Sequence, residues 1–342
     1  MITVFTKDHH FQDGKFELID GQFLPPFENP KRAEMIIERV RDAGLGEVVA
    51  PGDFGLDPVR RIHSGPFVEF LRTAHDEWRK VHGDTDALPL VWPSRGFRQV
   101  EPEAIDGKLS YYSFDAGTPI TSGTWRAITS AANVALRGAK LVQEGARAVF
   151  SLCRPPGHHA AQDLFGGYCF FNNAAIAAQA LRDAGAARVA ILDVDYHHGN
   201  GTQMIFYDRA DVLFVSLHGH PAQEYPYFLG YEDETGSGEG VGFNANYPMR
   251  WGAAWDVYGE ALDSGIARVR EFGPDALVIS LGVDTFEKDP ISQFKLTSED
   301  YPDMGRRIAN LGLPTLFVME GGYAVEEIGI NAVNMLSGFE DA

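Results

Sequence analysis

Several short stretches of this 342-residue chain set imidazoles, carboxylates and a tyrosine where they could do chemistry together. They are Arg154-Pro-Pro-Gly-His158-His159, Asp193-Val-Asp195-Tyr-His197-His198-Gly-Asn200, His218, Asp284 and Glu320-Gly-Gly-Tyr323. Asp195 and His197 are two apart in an extended segment, so both side chains leave the same side of the backbone and can grip one ion. With Asp284 the set becomes two carboxylates and one imidazole, which leaves coordination positions open for water and substrate. These ligands are harder than cysteine sets, so zinc, Fe(II), Mn(II) or Co(II) all suit them. A single Asp at a strand end is usually a helix cap; several converging with a double His is a different matter.

His158 and His159 follow a rigid Pro-Pro-Gly turn. Taken alone, both rings could simply satisfy loop backbone. Beside buried acids they read as tuned acid–base groups, because a carboxylate partner raises an imidazole pKa. Asp193 can orient one ring and the uncharged Asn200 the other, which would push the two pKa values apart and give the rings different roles. His198 and His218 are expected to support the site without ligating. His9, His10, His75, His82 and His220 are assigned to solvent or local hydrogen bonds, and Phe23, Phe27, Trp78 and Phe272 to the core.

Each candidate stretch follows an apolar, β-branched run: 148–152, 189–194, 212–217, 276–283 and 315–319. The runs do not alternate, so both faces of each are buried. Helical three-and-four spacing over 31–41, 124–142, 172–184, 255–272, 301–309 and 326–336 separates or flanks them. Strands alternating with helices predict an α/β fold with one parallel sheet covered on both sides, and in such sheets ligands bind beyond the carboxyl ends of the strands. Runs 2–5 and 48–50 add further strands. No linker, repeat or low-complexity tract divides residues 1–342, so one domain is expected. It carries a long inserted loop at 84–107, rich in proline and holding Trp92 and Phe97. The glycine-rich segment 235–242 lacks the setting of a phosphate loop.

Composition narrows the partners. The chain carries 29 basic and 48 acidic side chains, a net charge of −19, which repels phosphate backbones and disfavours nucleic acid. No apolar run approaches the roughly 20 residues a membrane span needs, and Lys7, Asp8 and Asp13 interrupt any signal peptide. A cytoplasmic protein with Cys153 and Cys169 as free thiols is expected.

Taken together, Arg154-Pro-Pro-Gly-His-His159, Gly166-Gly-Tyr-Cys-Phe170, Asp193 to Thr202, Ser216-Leu-His218 and Glu320-Gly-Gly-Tyr323 resemble the zinc-dependent histone deacetylase branch of the arginase/deacetylase superfamily. Within that branch the chain is most similar to the bacterial acetylpolyamine amidohydrolases, through its length, Phe16-Glu17-Leu18, Leu24-Pro-Pro-Phe27 and the 84–107 loop. The arginase branch is disfavoured: no second Asp follows Asp284 two residues on, as a binuclear site would want.

The resemblance implies an arginase/deacetylase-like sheet of about eight strands and hydrolysis of the acetyl amide of a small cationic amine. Asp195, His197 and Asp284 become ligands to Zn²⁺, His159 the general base and then acid, and Tyr323 the hydroxyl that binds the amide oxygen. His158 becomes an electrostatic partner bonded to Asp193, and Asn200 stands behind His159. Tyr168 and Tyr225 wall a tunnel beside the Gly167 carbonyl, with Tyr225 standing where Phe is common. A K⁺ ion is implied near Asp193, Asp195, His197, Ser216 and Leu217. Glu17 is expected to meet a distal ammonium at the mouth, with Asp106 and Asp115 behind it as substitutes for an acid that the family would favour where this chain has Gly117. The 84–107 loop is expected at a homodimer interface. Two other readings compete: a protein acetyl-lysine deacetylase, and a catalytically silent binding protein on the same fold, which would be expected to have lost a ligand, a His or the tyrosine.

Overall fold

A computed structural model describes residues 1–19 and 21–342. The strands are β1 (Ile2–Val4), β2 (Glu17–Ile19), β3 (Gln22–Leu24), β4 (Val48–Val49), β5 (Ala148–Ser151), β6 (Val189–Asp193), β7 (Val212–Gly219), β8 (Asn244–Met249), β9 (Ala276–Leu281) and β10 (Thr315–Met319). The helices are α1 (Lys31–Asp42), α2 (Asp57–Arg60), α3 (Gly65–His82), α4 (Ile105–Tyr111), α5 (Thr124–Gln143), α6 (Asn173–Asp183), α7 (Asn200–Phe206), α8 (Trp255–Phe272), α9 (Tyr301–Ala309) and α10 (Ile328–Glu340). Eight strands form one sheet in the order β4-β1-β5-β10-β9-β6-β7-β8, and every pairing in it is parallel. The five apolar runs of the sequence are its contiguous centre, β5 to β7.

Period-two geometry divides these strands between two cores. Val189, Ile191, Val212, Phe214 and Val278 pack with α3, α5 and α6 on one face, while Ala190, Leu192, Leu213, Val215 and Ile279 pack with α1, α8, α9 and α10 on the other. Each buried aliphatic side chain contributes about 1.5–3 kcal/mol through area removed from water. Truncating Ile191, wholly buried, to Ala would cost about 2–5 kcal/mol. Parallel pairing sends every carboxyl end to one rim. Register then sets the heights, with Asp193 opposite Ser216 on one side and Ser280 on the other.

The structure adds elements that the sequence patterns do not announce, β8 and α3 among them. β8, with Asn and Pro in its run, is tolerated because it is an edge strand. The helix α3 starts at Gly65-Pro66, residues that usually break structure; Ser64 caps it by accepting from Phe67 N, and proline fits the first turn. The 84–107 loop is irregular to Ala104, where α4 begins. Trp92 is half-buried and donates to Ser113 Oγ, but Phe97 stays 61% exposed. Phe23, expected in the core, is 65% exposed on the β2–β3 hairpin; Phe27 and Trp78 are half-buried and Phe272 is buried. No helix among the described residues is long and apolar enough to cross a membrane.

Candidate active site

Beyond the carboxyl ends of the central strands lies a cavity of about 590 Å³. His159, His197 and Tyr323 line it, with Gly167, Tyr168, Tyr225, Glu17, Asp115 and Gly117 among the residues of its walls. The chain turns after β6 so that Asp195 and His197 face Asp284, which follows β9. Ligand atoms of these three buried side chains all lie within 4.8 Å of one another. His197 Nδ1 is 2.9 Å from Asp284 Oδ2 and 3.6 Å from Asp195 Oδ1.

Backbone donors aim the carboxylates. Asp195 accepts from His197 N and Gly321 N, and Asp284 accepts from Tyr196 N. Glycine is required at 321, because a Cβ there would sit 2.6 Å from Asp195 Oδ2 and 2.7 Å from Asp284 Oδ2. Two buried carboxylates share this spot with a single imidazole. Burial and then the charge of Asp195 push the Asp284 carboxyl up to about 7. On His197 burial favours the neutral ring, yet the two flanking carboxylates outweigh it and raise the pKa well above normal. The site therefore calls for positive charge, and a divalent cation fits the three donor groups.

The two adjacent histidines have different partners. His158 Nδ1 lies 3.0 Å from Asp193 Oδ2, and His159 Nδ1 lies 2.7 Å from Asn200 Oδ1. Burial lowers the pKa of both rings. For His158 the charges of Asp195 and Asp193 more than reverse that and raise it to about 10. For His159 the cationic neighbours His158 and His197 add to burial, and its pKa falls well below normal. The partners thus favour the charged form of one ring and the neutral form of the other.

The Tyr323 loop is held from behind by groups the sequence reading did not single out. Arg32 on α1 donates to the carbonyls of Gly322 and Glu320, and its guanidinium lies 4.7 Å from the centre of the Tyr323 ring. Asp289 Oδ2 accepts from Tyr323 N at 2.7 Å. Glu320 accepts from Gly157 N and His158 N, and burial pushes its carboxyl up to about 8. It also groups with His158 and Cys169, but neither Glu320 nor Cys169 lines the cavity. Neither Arg32 nor Asp289 carries a local signal, since both act through tertiary contacts.

The walls rest on the turn Gly166–Cys169, whose ends exchange two backbone hydrogen bonds. Gly167 and Tyr168 have φ of 57° and 65°. A Cβ on Gly167 would strike His159 Cδ2 at 2.2 Å, so only glycine fits. Glu17 is buried, accepts from Phe27 N and bonds to the Tyr168 hydroxyl. Burial raises its pKa.

The remaining residues singled out from the sequence sort differently. Asp115 lines the cavity but is occupied by four donors. The mouth position expected for Asp106 is not where the chain puts it: it lies on the first turn of α4, 2.9 Å from His82 Nε2 on α3, and not in the cavity wall. The first three residues of that helix overlap the end of the 84–107 loop. Ser216 Oγ bonds to His218 Nδ1, and Leu217 is buried beside it. His198 and His218 pack ring on ring at 4.5 Å. His9, assigned to solvent or local hydrogen bonds, is instead buried with neither ring nitrogen partnered among the described residues, and burial lowers its pKa to about 3. His63, also unremarked in the sequence, is buried and accepts from Asn172 N at the start of α6.

The histone deacetylase domain model matches residues 26–339. Acetylpolyamine amidohydrolase 2 of Pseudomonas aeruginosa is 64% identical over 340 residues, covering 99% of each chain. Acetylpolyamine amidohydrolase of Mycoplana ramosa is 53% identical over 338 residues, again covering 99% of each. The crystal structure of acetylpolyamine aminohydrolase from Burkholderia pseudomallei superposes with a TM-score of 0.95 at 40% identity, over 99% of this chain and 98% of that one. With its parallel eight-stranded sheet and its matched length, the chain belongs to the histone deacetylase family.

Proposed function

We propose that this chain hydrolyses the acetyl amide of small acetylated diamines and polyamines, such as N-acetylputrescine, N-acetylcadaverine or acetylspermidine, to free amine and acetate in the cytoplasm. The carrying observation is one cavity that holds His159, His197 and Tyr323 together with a buried Glu17 that has no cationic partner among the described residues. The names of its relatives support the same substrate class.

Asp195, His197 and Asp284 would hold one divalent ion, zinc in this reading, with Fe(II), Co(II) or Mn(II) suited to the same donors. When bound, such an ion polarises the amide carbonyl and acidifies a water. Two anionic ligands limit that acidification, so a base must finish it. His159 supplies it: with Nδ1–H given to Asn200, the lone pair sits on Nε2, where it takes the water's proton. His159 then returns that proton to the leaving nitrogen. His158, bonded through Nδ1 to the Asp193 carboxylate, would offset the charge that builds beside it. The Tyr323 hydroxyl, un-ionised because burial raises its pKa well above normal, donates to the developing oxyanion. Tyr168 and Tyr225 flank the alkyl chain and exclude water, and Glu17 meets the distal ammonium. A K⁺ ion held by Asp193, Asp195, His197, Ser216 and Leu217 would stiffen the ligand segment from beneath.

Exposed Leu90, Val91 and Phe97 on the 84–107 loop support a homodimer contact there. Turnover of the three acetylated amines and an acetyl-lysine peptide by metal-reconstituted protein tests the substrate reading. Faster hydrolysis of the peptide than of every amine would replace it with a protein lysine deacetylase.

A further inference from the structure

The two aromatic walls of the cavity hang from one carboxylate. Asp115 Oδ2 accepts from Gly167 N at 2.6 Å and from the Tyr225 hydroxyl at 2.8 Å. Its other oxygen accepts from Gly117 N at 3.1 Å and Thr118 Oγ1 at 3.0 Å, and Thr118 Oγ1 in turn accepts from Tyr168 N at 2.9 Å. Segment 115–118 therefore bonds directly to both sides of the tunnel. Its partner on one side is the turn that carries Tyr168. That residue has a φ of 65°, a left-handed conformation that is strained for a non-glycine residue and persists only where neighbours enforce it. On the other side the Tyr225 ring meets His159 edge-on at 5.1 Å and stacks on Phe114 at 6.1 Å, and its hydroxyl is the point of attachment to Asp115.

Four donors saturate Asp115, so it has little left to offer a substrate ammonium. A phenylalanine at 225 would leave the ring in place and remove the tie. We propose that Asp115 is a positioning residue which, through the Tyr225 hydroxyl and the Gly167–Tyr168 turn, fixes the tunnel width and so makes the site selective for an unbranched amine chain. This rests on the amide-hydrolase reading above, but needs no preference for polyamines.

The test compares neutral N-hexylacetamide with N-(2-ethylbutyl)acetamide, a straight and a branched chain of equal carbon count, on metal-loaded wild type, Tyr225→Phe, Asp115→Asn and the double variant. The wild type is expected to prefer the straight amide in kcat/KM by about a hundredfold. Tyr225→Phe should lower that preference about tenfold, chiefly through KM of the branched amide. If both residues act through one tie, the double variant will show the selectivity of the weaker single variant within threefold. Calorimetric affinities for the two amides carry the same comparison should hydrolysis be undetectable. An unchanged straight-to-branched ratio in Tyr225→Phe, or multiplying effects in the double variant, overturns the inference. A wild type that binds the amides without hydrolysing them contradicts the amidohydrolase reading alone.

Discussion

His159 Nδ1 is bonded to the Asn200 amide oxygen at 2.7 Å, and Asn200 Nδ2 reaches back to the His159 carbonyl at 3.3 Å. The second bond fixes which way the amide points. The first therefore takes the ring's proton at Nδ1 and leaves Nε2 as an acceptor.

Replacing Asn200 with Asp places a negative charge on that bond, which favours the imidazolium and should raise the His159 pKa by about 1–3 units. A general base must be neutral to work. The acidic limb of kcat/KM should accordingly move to higher pH by a similar amount, as measured by a pH–rate profile on a neutral acetamide. An unmoved limb would remove His159 as the titrating base.

His159→Ala should lower kcat by about 10²–10⁴, the usual worth of acid–base catalysis, and Tyr323→Phe by about 10²–10³, as for one oxyanion donor. Neither side chain belongs to the Asp195–His197–Asp284 set. Metal content by elemental analysis should stay at wild-type level in both, and a wild-type rate in either would refute its role.

Glu17→Gln should raise KM about tenfold for acetylated diamines and leave a neutral acetamide unaffected, since an ion pair screened at a cavity mouth contributes roughly 1–2 kcal/mol. Gln keeps an acceptor for Phe27 N. Because burial raises the Glu17 pKa, the attraction requires deprotonation at a pH above the ordinary glutamate range. KM for the cationic substrate should thus climb on acidification earlier than for an exposed glutamate, and Glu17→Gln should abolish that climb.

His63 sets an acid limit on stability. Burial lowers its folded pKa to about 4 from 6.5, so between these values the unfolded chain binds the extra proton. The contribution is complete above about pH 6.5 and is lost as pH falls through 4, amounting to about 3 kcal/mol at most. Urea unfolding between pH 7 and 4.5 should show this decline, and His63→Gln should flatten it.

Trimming the exposed apolar tip of the 84–107 loop, with Leu90, Val91 and Phe97 changed to Ser, should convert a dimer to monomer in light scattering at micromolar concentration. A wild-type monomer would exclude the homodimer.

Much of this was legible because both the frame and the chemistry are local. Unalternating runs such as Val189–Asp193 announce buried parallel strands, and the polar residues that follow each run must then share a rim. What escaped depends on distant partners. Arg32 and Asp289 hold the Tyr323 loop across gaps of 290 and 34 residues, which no spacing rule reports. Asp106 is expected at the mouth only as a substitute for the acid missing at Gly117, and α4 instead sets it against His82 on α3. Phe23 was placed inside for its type alone, although a hairpin two strands wide has no second layer to cover it. By sequence Asp115 is a charge for the substrate, and only the fold shows its oxygens already filled.

The most direct test is a metal titration of the stripped protein, read as acetate released from N-acetylputrescine. Activity should be absent in chelator, return in proportion to added zinc and saturate at one ion per chain. Asp284→Ala should not recover at that stoichiometry. Acetate release that persists in chelator, saturates at two ions, or survives loss of Asp284 would contradict the account.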